Sequence, residues 1–287
     1  MSNSVYEMVT DRIIAQLEEG VIPWEKPWFG VMGGAFNRIS KKNYSLLNQM
    51  LLQHDGEYAT FKQWERLGGK IRKNERTEIV VFWKMCRVKK QKNSSIAEEK
   101  SIPVLKYFPV FHISQVEGVE PLPKNILRLP EPIEEAEKIL HDYLEKENIV
   151  LTHRACNKAY YSISDDSITM PLMGQFREQS EYYSTIFHEV IHSTMKESRC
   201  NRNGGKKEDT IFGSEVYSKE ELIAEIGSAN ILNIIEIETK KSFRNSVAYI
   251  QGWLSRLRND VKLIVSASSK AEKATKYVLG DKIKIYS

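Results

Sequence analysis

The sequence predicts an α+β protein in which an N-terminal domain of mixed helix and sheet precedes a C-terminal domain built around a metal-binding helix. Three observations support this fold class. Residues 188–192 read H-E-x-x-H within a segment of helical periodicity. Short strand-like runs lie upstream of that helix, and residues 78–84 also have strand character. A proline-rich connection separates the two halves of the chain.

Composition describes a soluble globular chain that is long enough for two domains. Its 287 residues are 41% hydrophobic and 28% charged, and a chain of this length can bury a sizeable core. The first twenty residues carry several charges, and no later run approaches the ~18 apolar residues of a membrane span. Cys86, Cys156 and Cys200 form no C-x-x-C pair, which argues against a disulfide framework. These features predict a cytoplasmic protein with no membrane partner.

Charge is shared unevenly along the chain. Residues 1–117 contain 18 Lys and Arg against 13 Asp and Glu, a net of +5, whereas residues 118–287 contain 24 against 25, a net of −1. Prolines at positions 121, 123, 130 and 132 discourage helix and strand between the two halves. We therefore predict an N-terminal domain over residues 1–120 and a C-terminal domain over residues 131–287.

The N-terminal domain is predicted to open with an amphipathic helix. Ser4 and Glu7 have the spacing of a capping box, in which each side chain bonds the other residue's backbone N–H. Apolar residues follow at helical spacing, and Gly20 is the predicted stop.

Aromatic side chains are interspersed with cations in the rest of the N-terminal half. Rings can stack on unpaired bases while cations follow the phosphates, which favours single-stranded DNA because duplex DNA offers no unstacked bases. The alternative is that these rings belong to the core, since Trp and Phe are usually buried. The candidate DNA-binding residues are Trp24, Trp28, Arg38, Lys41, Lys42, Tyr44, Lys62, Trp64, Lys70, Arg72, Lys73 and Arg76.

A short hairpin is predicted immediately upstream of the metal-binding helix. Residues 159–164 and 167–170 flank Asp165 and Asp166 and close at Pro171. A sheet edge beside a metal helix can hold an extended peptide by strand addition.

The H-E-x-x-H pattern predicts a zinc site with hydrolytic chemistry. His188 and His192 lie four residues apart, one helical turn, so both imidazoles can reach one metal ion. Glu189 is then placed beside the open coordination position, where it can act as general base. Zn²⁺ is the predicted cofactor.

A third ligand is expected from the acidic segment at residues 217–225. Glu221 and Glu225 share one helical face, so Glu221 can ligate the metal while Glu225 orients a ligating histidine through its other ring nitrogen. The alternative is that Glu220, Glu221 and Glu225 form the solvated face of a helix, which is the usual explanation for an isolated acidic helix. The nearby H-E-x-x-H pattern favours the metal ligand.

The chain resembles the ArdC-type antirestriction proteins. The resemblance covers nearly the whole chain and is carried by residues 17–28, 60–63, 68–69, 110–118, 187–192, 212–214, 217, 220–225, 249–250 and 253–254. It implies an N-terminal domain that binds single-stranded DNA, a C-terminal zincin-like metallopeptidase domain, and protection of mobile-element DNA from host restriction. It also implies zinc ligation by His188, His192 and Glu221, with Glu189 as catalytic base.

Two functions of different class remain open at this stage. The first is a DNA-binding antirestriction protein whose zinc domain acts on a protein or assists DNA engagement. The second is a cytosolic zinc metalloprotease whose basic N-terminal domain selects a protein or peptide substrate. A weaker third interpretation is a structural zinc site without turnover.

Overall fold

A computed structural model describes residues 4–25, 34–89, 99–122, 132–156, 158–176, 178–202, 215–237 and 247–280. Helix and strand both contribute, as an α+β class requires. The helices are α1 (Val5–Glu18), α2 (Leu46–Leu51), α3 (Phe61–Arg66), α4 (Pro132–Glu147), α5 (Gln179–Ser193), α6 (Glu215–Ile234), α7 (Val247–Asn259) and α8 (Leu263–Leu279).

In the described part of the chain, the strands form three sheets. A four-stranded sheet has the order β1-β2-β5-β4, a two-stranded sheet pairs β3 with β6, and a three-stranded sheet has the order β7-β9-β8. The strands are β1 (Ala35–Asn37), β2 (Gly56–Ala59), β3 (Lys70–Ile71), β4 (Glu78–Lys89), β5 (Glu99–His112), β6 (Val116–Glu117), β7 (Val150–Arg154), β8 (Tyr160–Ser162) and β9 (Ser167–Pro171).

Helix α1 begins with the predicted capping box. Ser4 Oγ accepts a hydrogen bond from the Glu7 backbone N–H at 3.3 Å, and Glu7 Oε2 accepts one from the Ser4 N–H at 2.6 Å. Val9, Ile13 and Leu17 are buried along one face of the helix. The prediction of an amphipathic first helix is confirmed.

The strands β4 and β5 form a long antiparallel hairpin whose register joins Glu78 to Val110 at one end and Lys89 to Glu99 at the other. The two faces of this hairpin have different neighbours. On one face Val80 and Val110 enter a small core with Tyr58, whereas on the other Val81 and Leu105 join the main core. The hairpin therefore lies between two packed regions.

The main hydrophobic core draws residues from both halves of the chain. Val9, Ile13 and Met50 of the N-terminal half belong to the same buried cluster as Phe187 and Leu257 of the C-terminal half. Helix α1 packs against α7, and α2 packs against α8. The N-terminal helices are thus integrated with the C-terminal helices through a common core. Residues 123–131, which contain most of the predicted connection, lie outside the described part of the chain.

Among the described residues, none of the helices combines the length and apolar character that crossing a membrane would need.

Candidate metal centre

Helix α5 carries the H-E-x-x-H residues and is fixed by close packing against α6. Ile186, Val190 and Ile191 are buried on the core side of α5. Gly227 of α6 allows the two helices to approach, because a Cβ atom at this position would lie 3.0 Å from side-chain atoms of Ile191. This contact brings the acidic residues of α6 beside the histidines of α5.

His188, His192 and Glu221 converge on one point. Their ligand atoms all lie within 4.8 Å of one another. The two histidine Nε2 atoms are 3.0 Å apart, and each lies 3.4 Å from an oxygen of Glu221. The structure therefore brings together the three side chains that the sequence predicted as metal ligands.

A second layer of carboxylates faces the far sides of the two imidazoles. Glu225 Oε1 lies 4.0 Å from His188 Nδ1, in the orienting position that the sequence predicted. Glu220 Oε1 lies 3.6 Å from His192 Nδ1, and the sequence interpretation did not assign Glu220 this position. Glu220 is itself held by Arg202, whose Nε donates to Glu220 Oε2 at 3.0 Å and whose Nη2 donates to the Ile191 carbonyl at 2.8 Å.

The electrostatics of the site favour a cation. Burial raises the pKa of Glu221, but hydrogen bonds from His188 and His192 outweigh burial and hold that pKa well below its usual range. Burial lowers the pKa of His192, but the carboxylates of Glu220 and Glu221 outweigh it and raise the pKa to about 10. Two imidazole nitrogens and a carboxylate oxygen are ligands that zinc and other divalent transition metals accept. The donor set therefore fits a divalent metal.

Glu189 lies on the side of α5 that faces the three-stranded sheet. Its side chain is buried, and Oε2 accepts a hydrogen bond from the Tyr161 backbone N–H at 2.9 Å. Tyr161 belongs to β8, the edge strand that pairs antiparallel with β9. The predicted hairpin is confirmed, and its edge strand lies against the metal-binding helix.

A buried arginine anchors this hairpin to the end of α5. The Arg199 side chain is only 1% exposed and donates to both carboxylate oxygens of Asp166 at 2.8 Å. Its Nε also donates to Glu147 Oε2 at 2.9 Å. Burial raises the pKa of Asp166, but hydrogen bonds from Arg199, Lys196 and Tyr161 outweigh it and lower the pKa to about 2. The turn between β8 and β9 is thus held by charge as well as by strand pairing.

Three predicted DNA-binding rings prove to be core residues. Trp24 packs edge-on against Trp253 with ring centroids 6.3 Å apart. Trp64 is fully buried and donates from Nε1 to the Phe111 carbonyl at 2.9 Å, and Tyr44 is buried in the small N-terminal core. The prediction that these three rings stack on bases is wrong for this structure, because no face of them is open to a ligand. Trp28 lies outside the described residues.

Most of the predicted DNA-binding cations lie on the surface. Arg38 differs, since it is only partly exposed and forms an ion pair with Glu57. Arg72 is exposed but pairs with Glu75 at 2.8 Å. The exposed members of the predicted set are Lys41, Lys42, Lys62, Lys70, Arg72, Lys73 and Arg76.

Exposed rings occur instead on the β4–β5 hairpin. Phe82 and Tyr107 are each 47% exposed and Trp83 is 54% exposed. The sequence interpretation treated the β4 segment only as a strand. The alternation of a strand shows which side chains share a face of the sheet. It does not show which part of that face other elements cover, so the exposure of these rings could not be predicted from the sequence.

Comparison with known proteins connects both halves of the chain to one family. The family described as the N-terminal domain of anti-restriction factor ArdC matches residues 3–111, and a zincin-like metallopeptidase family matches residues 134–270. Crystal structures of the antirestriction ArdC protein from the R388 plasmid superimpose with TM-scores of 0.72 for the metal-free form and 0.73 for the Mn(II)-bound form. Each is 29% identical to the chain, and the match covers 96% of this chain and 97% of the plasmid protein.

Relatives of similar and of much greater length also match. A protein named y4eC from Sinorhizobium fredii is 31% identical over 93% of this chain and 89% of its own length. Two DNA primases named TraC from Escherichia coli are 31% and 30% identical over 96% of this chain. These primases are much longer, and the chain spans only 20% and 27% of their lengths. On these matches the chain belongs to the ArdC-type antirestriction family, with an ArdC N-terminal domain followed by a zincin-like metallopeptidase domain.

Proposed function

We propose that this protein binds single-stranded DNA and protects the DNA of a mobile element from host restriction, using a zinc-dependent centre in the cytoplasm. The metal centre of the proposal rests on the convergence of His188, His192 and Glu221, and the DNA part rests on the match to the ArdC N-terminal domain. We assign DNA binding mainly to residues 1–120 and the metal centre to residues 131–287.

The proposed DNA surface combines exposed cations with exposed rings. Lys62, Lys70 and Lys73 are exposed, as phosphate-contacting residues must be. Exposed rings of the β4–β5 hairpin replace the buried rings as the candidate stacking residues. Tyr107 lies on the face that also carries Val81, and Phe82 lies on the opposite face. Rings of this kind accept any unpaired base, so the proposed binding depends on strandedness and little on sequence.

The proposed metal is Zn²⁺, held by His188, His192 and Glu221 with Glu225 and Glu220 behind the two imidazoles. A manganese-bound relative indicates that a divalent ion is accepted in this family. When bound, such an ion supplies a Lewis acid that activates water and polarises a peptide carbonyl.

The chain's own residues would then handle the proton and the substrate. Glu189 would take the proton of the attacking water and pass it to the leaving amine. Its hydrogen bond to the Tyr161 N–H holds the carboxylate on the side of the β8 edge. An extended peptide that paired with the remaining groups of this edge would lie beside Glu189, and peptide-bond hydrolysis is therefore the reaction that we propose.

A second candidate function is a cytosolic zinc metalloprotease whose N-terminal domain recognises a protein substrate. The β8 edge beside Glu189 supports it, because an extended substrate that paired with this edge would not need DNA to be bound. The two functions differ in what the N-terminal surface binds.

Oligonucleotide titration tests the proposal. Fluorescent single-stranded and duplex oligonucleotides are titrated with the protein across a salt series, and the metal content of the same sample is measured. We expect single strands to bind more tightly than duplex, and the affinity to fall as salt rises because phosphate contacts release counterions. Lys70→Ala combined with Lys73→Ala should reduce the salt slope by about 0.7 for each lost contact. Absence of binding at low salt would refute the DNA-binding function and favour the protease.

A further inference from the structure

A cleft lies where the β4–β5 hairpin meets α2 and α8. Its volume is about 380 Å³, which falls within the range of ordinary small-ligand sites. The apolar walls come from both halves of the chain: Leu47 of α2, Val81 and Leu105 of the hairpin, and Val265 of α8. The indole of Trp83 also lines the cleft.

Trp83 lies at the boundary between the buried and the exposed part of its strand face, because Met85, two residues further along that face, is 63% exposed. Leu105 is its cross-strand partner and Val81 is two residues away on the same face, and these two are only 5% and 4% exposed. Trp83 is 54% exposed, although it is the largest apolar side chain of this face. Its ring meets Tyr6 of α1 in an edge contact, with centroids 6.4 Å apart. A large ring left open above an apolar cleft is a surface that a flat ligand can cover.

Lysines of α8, together with Lys262 immediately before it, lie at or near the cleft. Lys273 and Lys276 line the cleft, and the Lys262 Nζ lies 5.6 Å from the centroid of the Tyr6 ring. Lys270 is also exposed. The sequence from residue 262 to residue 280 contains four lysines and one acidic residue, Glu272, so it carries a net charge of +3 within a C-terminal half that is slightly acidic.

Glu272 already has partners in the protein. Its Oε2 accepts a hydrogen bond from the Leu46 backbone N–H at 3.0 Å, and its Oε1 accepts one from Lys276 at 2.8 Å. The carboxylate therefore joins α8 to α2. Because Lys276 balances Glu272, the charge of Lys262, Lys270 and Lys273 makes this region positive.

We propose that this cleft binds an unpaired nucleobase of single-stranded DNA, with the base stacked on Trp83 and the flanking phosphates contacted by Lys273 and Lys262. The inference rests on the proposed single-strand binding and extends it, because it places α8 of the metallopeptidase half on the path of the DNA. The chemistry of the cleft is that of a stacking platform bordered by cations, which suits a single strand. A duplex has no unpaired base to insert.

Fluorescence anisotropy with the full chain tests this site. A labelled oligo(dT) of about 20 nucleotides is titrated against wild type, Trp83→Ala, Trp83→Phe, and a double variant Lys262→Ala with Lys273→Ala. Lys138→Ala serves as the control for loss of a surface cation outside the site, because Lys138 is an exposed lysine of α4 that does not line the cleft. Circular dichroism confirms that each variant is folded.

Stacking and phosphate contact give different signatures. Trp83→Ala should weaken binding about 5- to 150-fold with an unchanged salt slope, while Trp83→Phe should retain most of the affinity. The double lysine variant should reduce the salt slope by about 1.4, since each lost contact to a single strand contributes about 0.7. Lys138→Ala should behave as wild type.

One result would overturn the inference alone, and two would overturn the proposed single-strand binding together with it. If wild type binds the strand in a salt-dependent manner but Trp83→Ala and the double lysine variant bind equally well, the DNA follows another path and the cleft is not part of it. If a duplex of the same length competes with oligo(dT) at equal affinity, no unpaired base is being inserted. If wild type binds no strand at low salt, both the cleft inference and single-strand binding are refuted.

Discussion

Replacing Glu220 by glutamine should weaken metal binding without removing a metal ligand. Glu220 Oε1 lies 3.6 Å from His192 Nδ1, on the opposite side of the ring from the Nε2 atom that faces Glu221. Arg202 fixes the carboxylate through Nε at 3.0 Å, so Glu220 is already oriented toward the histidine. A carboxylate behind a ligating imidazole raises its basicity and fixes its tautomer, and its loss commonly costs 10- to 100-fold in metal affinity.

That range corresponds to about 1.4–2.7 kcal/mol of binding free energy. The assay is a chelator competition titration with Zn²⁺ and Mn²⁺, and the thermal midpoint of each metal-free variant is measured in parallel. Glu225→Gln is the comparison variant, since Glu225 faces His188 at the longer distance of 4.0 Å. We expect the loss in affinity to be larger for Glu220→Gln than for Glu225→Gln. Metal affinity within twofold of wild type in a folded Glu220→Gln protein would refute the role assigned to Glu220.

Three further predictions concern the same region. Glu189→Gln should retain stoichiometric metal but lose any cleavage of casein. Glu221→Ala should lose the metal, and unchanged metal content in this variant would show that another residue is the third ligand. The pKa of Asp166 is lowered to about 2 in the folded protein. Its ion pairs therefore stabilise the fold fully at pH values above its unfolded pKa of about 3.9. This stabilisation is lost as the pH falls from about 4 to 2. Asp166→Asn should therefore reduce the free energy of unfolding at pH 7 by about 1–2 kcal/mol, and show a smaller further loss than wild type on acidification, as measured by urea denaturation at several pH values.

The metal centre could be predicted from the sequence because its geometry is largely local. Two histidines four residues apart on one helix must lie on the same face, and the structure places their Nε2 atoms 3.0 Å apart. For Glu221 and Glu225, the sequence also allowed the solvated face of an acidic helix. The nearby H-E-x-x-H pattern was the observation that favoured a role at the metal. Glu220 was missed because its position depends on Arg202, and the pairing of residues 202 and 220 is a tertiary contact that no periodicity encodes.

The exposed rings proposed to stack on DNA could not be chosen from the sequence, because composition does not show burial. Trp24 and Trp64 stand among cations in the sequence, yet both indoles are at most 1% exposed. Trp24 is buried by Trp253, which lies more than two hundred residues away in the chain. The position of the α8 lysines could not be predicted either, because the sequence does not show that Lys273 and Lys276 line a cleft together with Trp83.

The shared core makes a further prediction about how metal binding affects stability. Helices α1 and α2 pack against α7 and α8, and the same buried cluster continues to the metal-bearing helix α5. Thr275 of α8 donates to the carbonyl of Gly227, the α6 residue that contacts Ile191 beside His192. Because these elements share one core, the described chain should unfold as one cooperative unit.

A ligand that binds only the folded state stabilises every element of a cooperative unit against unfolding. At a free metal concentration 100 times its dissociation constant, the gain is about 2.7 kcal/mol. Calorimetry should therefore show one transition that moves to higher temperature with Zn²⁺, and hydrogen exchange in the β4–β5 hairpin should slow together with that in α5. Two transitions, with only the second responding to metal, would show that the N-terminal half folds separately and that contact between the helices does not make the halves cooperative.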